Sequence, residues 1–135
     1  MHSAYANTDE NVILHVYLTN QTKDTFTFDG VSDAHPSDIY TIYPSVIKPG
    51  ETSIITVEKL GYNDIFGHVN FKSSAGIDAR LVILDQEQVH FGQPIFNFTG
   101  QQHASLLLSK ALYKKISPRY LMYLSASLNI IAKQN

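Results

Sequence analysis

The stretch from Tyr43 to Leu60, Y-P-S-V-I-K-P-G-E-T-S-I-I-T-V-E-K-L, decides the fold class. Within it Lys48-Pro49-Gly50-Glu51 has the composition of a type II turn. Pro49 presets φ at the second position, and Gly50 supplies the positive φ that the third position needs. The turn hands the chain to Thr52–Lys59, where alternation predicts Ile55 and Val57 facing inward and Thr56 and Glu58 facing water. This is a half-buried strand leaving a tight turn, and much of the chain repeats that unit.

On the N-terminal side, Asn11–Thr19 sets Val12, Leu14, Val16 and Leu18 on one face and Ile13, His15, Tyr17 and Thr19 on the other. After the polar turn Asn20–Asp24, Thr25–Phe28 resumes as a strand, so a hairpin is expected here. Asp29–Asp38 reads as a loop. Ile39–Tyr43 is a short strand that Pro44 confines to an edge or a strand end.

On the C-terminal side, Gly61-Tyr62-Asn63-Asp64 connects to Ile65–Lys72, with Val69 and Phe71 inward and Gly67 as a candidate bulge. Ser73-Ser74-Ala75-Gly76 is a turn, and Ala79–Leu84 an apolar strand. Val89–Phe91 and Ile95–Phe98 flank Gly92-Gln93-Pro94, which interrupts them. In the tail, Ala104, Leu107, Leu108, Ala111, Leu112 and Ile116 fall at helical spacing and predict a short helix. From Tyr120 to Ile130 the period is two, which predicts a final strand. The sum is an all-β chain: a single antiparallel β-sandwich over 11–135, with one short helix near the C-terminus and a flexible segment 1–10 before it.

With 135 residues, 44% hydrophobic and only 16% charged, the chain can build a core and does not read as disordered. A net charge of −2 argues against nucleic acid as a partner. The lack of Cys excludes disulfides and thiolate metal sites, and no run is long and apolar enough to span a bilayer as a helix. Trp is absent, whereas there are 8 Tyr and 7 Phe, an enrichment that suits strands and contact surfaces alike. Ala4-Tyr5-Ala6 has the small-x-small form that precedes signal-peptide cleavage. One reading is an exported protein, secreted or periplasmic, with Met1 added; the other is a chance tripeptide.

Local chemistry is sparse. The histidines form no His-x-His or His-Glu-x-x-His pair, and the strand-borne His15, His68 and His90 read as residues on polar strand faces, the alternative being that the three converge in space. There is no Gly-x-Ser-x-Gly elbow, and the carboxylates that could pair for hydrolysis, Asp29, Asp33, Asp38, Glu51, Asp64, Asp85 and Glu87, sit in turns, where they serve the local backbone. The expectation is therefore a non-enzymatic protein without cofactor or metal. Two sequons occur, Asn20-Gln21-Thr22 and Asn97-Phe98-Thr99. The remaining signal is aromatic residues near turns: Tyr40 and Tyr43 before the Pro-Gly turn, Tyr62 and Phe66 after it. Amphipathic tyrosines at loop tips suit a lipid headgroup zone, a sugar or a protein partner.

Several of these segments together resemble the aegerolysins, small lipid-binding β-sandwich proteins related in fold to pore-forming cytolysins. The segments are Val12–Thr19 with Asn20-Gln21-Thr22, Val46-Ile47-Lys48-Pro49-Gly50-Glu51-Thr52, Gly67-His68-Val69-Asn70-Phe71 and His90-Phe91-Gly92-Gln93-Pro94. The resemblance implies a secreted module that recognises membrane lipid headgroups, with a larger pore-forming protein as a partner and a place in a virulence system. Tyr40, Tyr43, Tyr62, Phe66 and His90 are then the expected lipid- or partner-binding residues, with Pro49 and Gly50 as the structural turn. The competing expectation is an immunoglobulin-like adhesion domain that binds protein or glycan, with Ile39–Tyr43 as an edge for strand addition.

Overall fold

The cleanest alternation in the chain becomes the middle of a sheet. In strand β1 (Asn11–Asn20), Leu14, Val16 and Leu18 are fully buried while Tyr17 faces out, because successive side chains leave opposite faces of a pleated strand. The computed structural model describes residues 11–59, 66–84, 95–100, 106–108, 112–116 and 121–132. Among these the chain continues as β2 (Phe26–Ser32), β3 (Ile39–Tyr43), β4 (Val46–Ile47), β5 (Thr52–Lys59), β6 (Phe66–Ser73) and β7 (Asp78–Leu84). It closes with β8 (Ile95–Gly100), β9 (Leu106–Leu108), β10 (Leu112–Ile116) and β11 (Leu121–Ala132).

These strands form two sheets. The first, sheet A, runs β10-β11-β1-β5-β3, with β9 also paired to β11; the second, sheet B, runs β4-β2-β6-β7-β8. The expected all-β sandwich is present, and its core is the inner face of both layers: Leu14, Val16, Ile55, Val57 and Leu128 from sheet A meet Phe26, Val69, Phe71, Leu81 and Ile83 from sheet B. All ten are at most 1% exposed. Phe71 also takes the Phe28 ring edge-on at 6.3 Å between centroids.

The organising turn is as expected. Gly50 has φ of 86°, and the Glu51 amide donates to the Lys48 carbonyl at 2.9 Å. The Glu51 carboxylate reaches back to accept from the Lys48 amide, also at 2.9 Å. Beyond the turn, Ile55 and Val57 are buried and Glu58 is exposed.

Five local expectations are corrected. The segment after β1 is not a hairpin, since β1 and β2 lie in different sheets. Asn20, wholly buried, directs the chain across: its amide nitrogen donates to the carbonyls of Asp24 and Ile47, and its oxygen accepts from the Thr22 amide and hydroxyl. Strand β2 reaches Ser32 rather than ending at Phe28, because a bulge between Phe28 and Val31 absorbs one extra residue against β6. Gly67 is not a bulge, for β6 pairs with β7 in unbroken register from Phe66 to Lys72. The expected helix in the tail is replaced by β9 and β10, both antiparallel to β11. The long alternating β11 offers backbone partners along its length, and that pairing overrides a local helical spacing. Finally, the sandwich is mixed rather than purely antiparallel, because β1 and β11 pair in parallel from Asn11↔Leu121 to Asn20↔Ile130.

Candidate functional site

Alternation along β3 separates the two tyrosines that precede the Pro-Gly turn. Tyr43 is on the outer face of sheet A and 74% exposed, whereas Tyr40 turns inward against the core. The Tyr40 hydroxyl is buried without a hydrogen-bond partner among the described residues. Burial first and the Asp38 carboxylate second hold that hydroxyl protonated, well above the ordinary tyrosine range. Phe66 is exposed, but at the start of β6 in the other sheet, where its ring lies 5.8 Å from that of His68. Tyr40, Tyr43 and Phe66 are thus not brought together: one is inside and two are on opposite outer faces. Tyr62 and His90 lie outside the described residues.

Tyr43 has other neighbours. It pairs with Ile54 of β5, which pairs with Tyr17 of β1, so the three side chains form a row across three strands on one face. Tyr17 is 38% exposed and Ile54 41%, and with Tyr43 they are contiguous rather than scattered exposures. The adjoining rows are hydroxyl-rich. Thr19 and Thr52 share a hydrogen bond of 2.7 Å, and His15 Nδ1 meets the Thr56 hydroxyl at 3.2 Å, with Thr41 next in line. The last row holds Ile13, Glu58 and Ile39, the latter 51% exposed.

The outer face of sheet B has another character. Arg80 Nε donates to the Asn70 side-chain oxygen Oδ1 at 2.9 Å, and Asn70 Nδ2 donates to the Ser32 hydroxyl at 3.1 Å. Lys72 and Asp78 pair at 3.8 Å; His68 Nδ1 stands 2.9 Å from the Asp33 carboxylate, at ion-pair distance without hydrogen-bond alignment. A shallow depression of about 350 Å³ beside the start of β2 and the end of β6 is lined by Thr25, Thr27, Ser73 and Ser74 with Phe28, Asp29 and Lys72. His15 and His68 occupy outward strand positions, as expected for polar-face histidines. No group of three or more His, Cys, Asp or Glu among the described residues is arranged to share a metal ion.

Tyr17 and Ile54 were not singled out by sequence reasoning. Their signal was present as apolar residues at the outward positions of alternating strands. Only the register of β1, β5 and β3 shows that they align with Tyr43.

No protein-family model and no curated protein sequence matches this chain. Among solved structures its fold is similar to the crystal structure of lipid binding protein Nakanori, with a TM-score of 0.54 and 9% identity over 87% of this chain and 70% of that one. At this identity the likeness is one of fold.

Proposed function

We propose that this chain is a non-enzymatic module that binds lipid at a membrane surface. The observation that carries the reading is the exposed row Tyr17–Ile54–Tyr43 on a sheet face. Clustered exposed apolar side chains mark contact surfaces, and tyrosine in particular sits well where an apolar zone meets a wet one. The fold shared with a lipid binding protein and the sequence resemblance to aegerolysins support the same reading. Cosedimentation with vesicles of sphingolipid, sterol-containing and anionic composition tests it. Binding to at least one composition is expected; binding to none removes the proposal.

A second reading is favoured by one observation. β3 is an edge of sheet A, paired only with β5 among the described residues, and its free side presents unpaired backbone groups to an incoming strand. A specific protein or glycan hit in a pull-down or array, with vesicles silent, would favour this interaction-domain reading over the lipid one.

A further inference from the structure

The outward side chains of β1, β5 and β3 and the described ones of sheet B differ most in charge, and that difference selects both a side and a kind of membrane. Outward positions on β1, β5 and β3 carry no Lys or Arg, and Glu58 is the only acid in those four rows. The outer face of sheet B carries Lys72, Arg80, Asp78 and His68, engaged with one another or with polar neighbours. We propose that the outer face of sheet A along β1, β5 and β3 is the docking surface, lying against the headgroup zone of a bilayer without net charge, with Tyr43 set deepest. This rests on the lipid-binding reading and deepens it.

Three physical arguments support the assignment. Attraction to anionic lipid requires clustered Lys or Arg, and the patch formed by β1, β5 and β3, whose one formal charge is Glu58, is repelled by such a surface. An uncharged interface imposes no such penalty, and there the apolar row provides the contact. The hydroxyls beside the row are partly satisfied in advance by the Thr19–Thr52 and His15–Thr56 contacts, so moving them into the headgroup zone strands few polar groups. Charged groups on sheet B would instead have to be stripped of water and of their partners if that side docked.

The natural lack of Trp makes a direct test possible. A single Trp is placed on either face of the full chain, as Tyr43→Trp or Lys72→Trp; both positions are exposed, and thermal melts confirm that each variant folds. Each is mixed with phosphatidylcholine–sterol vesicles carrying brominated acyl chains, with and without added phosphatidylserine. Both variants are expected to sediment with the uncharged vesicles, and phosphatidylserine is expected to give no gain. Tyr43→Trp fluorescence is expected to shift to the blue and be quenched, while Lys72→Trp is unaffected. Quenching of Lys72→Trp in place of Tyr43→Trp, or sedimentation only with phosphatidylserine present, overturns this inference and leaves lipid binding standing. A concentration-dependent blue shift of Tyr43→Trp without lipid, accompanied by a dimer in analytical ultracentrifugation, overturns it in favour of a second copy on this face. If no vesicle of any composition binds either variant or the unmodified chain, the lipid-binding reading itself falls.

Discussion

The hydroxyl of Tyr40, on β3 of one sheet, rests on Gly67, on β6 of the other. A Cβ built on Gly67 would overlap that hydroxyl and lie 2.7 Å from the ring carbon bearing it. The absence of a side chain at position 67 is therefore what lets the edge strand β3 close over sheet B. Gly67→Ala is expected to cost about 1–3 kcal/mol, the usual range for an overpacked core. Tyr40→Phe removes a buried hydroxyl that has no hydrogen-bond partner among the described residues, so alone it is expected to be neutral or mildly stabilising. In the double variant part of the Gly67→Ala loss should return. Urea denaturation of the four proteins reads the coupling, and strict additivity would show that the two residues do not share space.

The same hydroxyl makes stability depend on alkaline pH. Its folded-state pKa is raised, chiefly by burial and further by Asp38. Below the ordinary tyrosine value of about 10, folded and unfolded chains both keep this proton, and the full stability is present. Above it the unfolded chain releases the proton first, so stability falls as pH rises. Tyr40→Phe is expected to flatten that fall, measured as denaturation midpoints across the alkaline range. Parallel curves for the two proteins would mean that Tyr40 does not contribute.

At Gly50 the constraint is conformational rather than steric, since φ is 86° and nothing lies within 4 Å of an added Cβ. Gly50→Val is expected to lose about 1–3 kcal/mol, the cost of holding a β-branched residue at positive φ. Gly50→Asn should lose much less, because Asn tolerates that region. The turn is also clasped to β1, with the Gly50 amide donating to the Asn20 carbonyl at 2.7 Å, so strain here is felt in the neighbouring strand. Thermal melts of the two variants decide the point, and equal midpoints would contradict it.

Asn20 illustrates a motif whose role changes once it is folded. Its position in Asn20-Gln21-Thr22 matches a glycosylation sequon, but the side chain is fully buried and both ends of its amide are engaged. Attachment of a glycan there is incompatible with this fold. Asn20→Ala removes the side-chain donor to the Ile47 and Asp24 carbonyls and the acceptor of the Thr22 amide, leaving the Thr22 hydroxyl, as a donor, and the Asp24 carbonyl only their mutual 3.3 Å contact, for an expected loss of about 2–4 kcal/mol. Asn20→Asp places a carboxylate against the Asp24 and Ile47 carbonyls and should lose more at neutral pH. Burial there raises the folded-state pKa of the acid, so the deficit should shrink as pH falls and the carboxyl takes up a proton. Chemical denaturation at neutral and acidic pH checks both expectations.

The outer row separates stability from binding. Tyr43→Ser and Ile54→Ser remove exposed apolar surface without touching the core, so each is expected to change stability by within about 0.5–1 kcal/mol. Together they are expected to weaken vesicle cosedimentation strongly. Wild-type binding by a stably folded double variant would show that the row is not the contact surface.

The sequence by itself determined the local pleat. Alternation in Asn11–Thr19 and Thr52–Lys59 selected which residues are buried, and Pro49-Gly50 specified a turn with positive φ, because these depend only on neighbours along the chain. Pro44 likewise confined Ile39–Tyr43 to an edge, as a residue that cannot donate to a ladder must. Which strands pair was a different matter. Pairing joins segments far apart in sequence, and no local pattern distinguishes a hairpin from a crossing between layers. Hence Asn20 became a buried hub that sends β2 to the opposite sheet, and the helically spaced leucines of the tail became β9 and β10 alongside β11. The candidate surface follows the same division. Tyr43 was visible as an aromatic residue beside a turn, but its alignment with Ile54 and Tyr17 exists only through the register of three strands, and Tyr40 was turned inward by the alternation of β3 over Gly67.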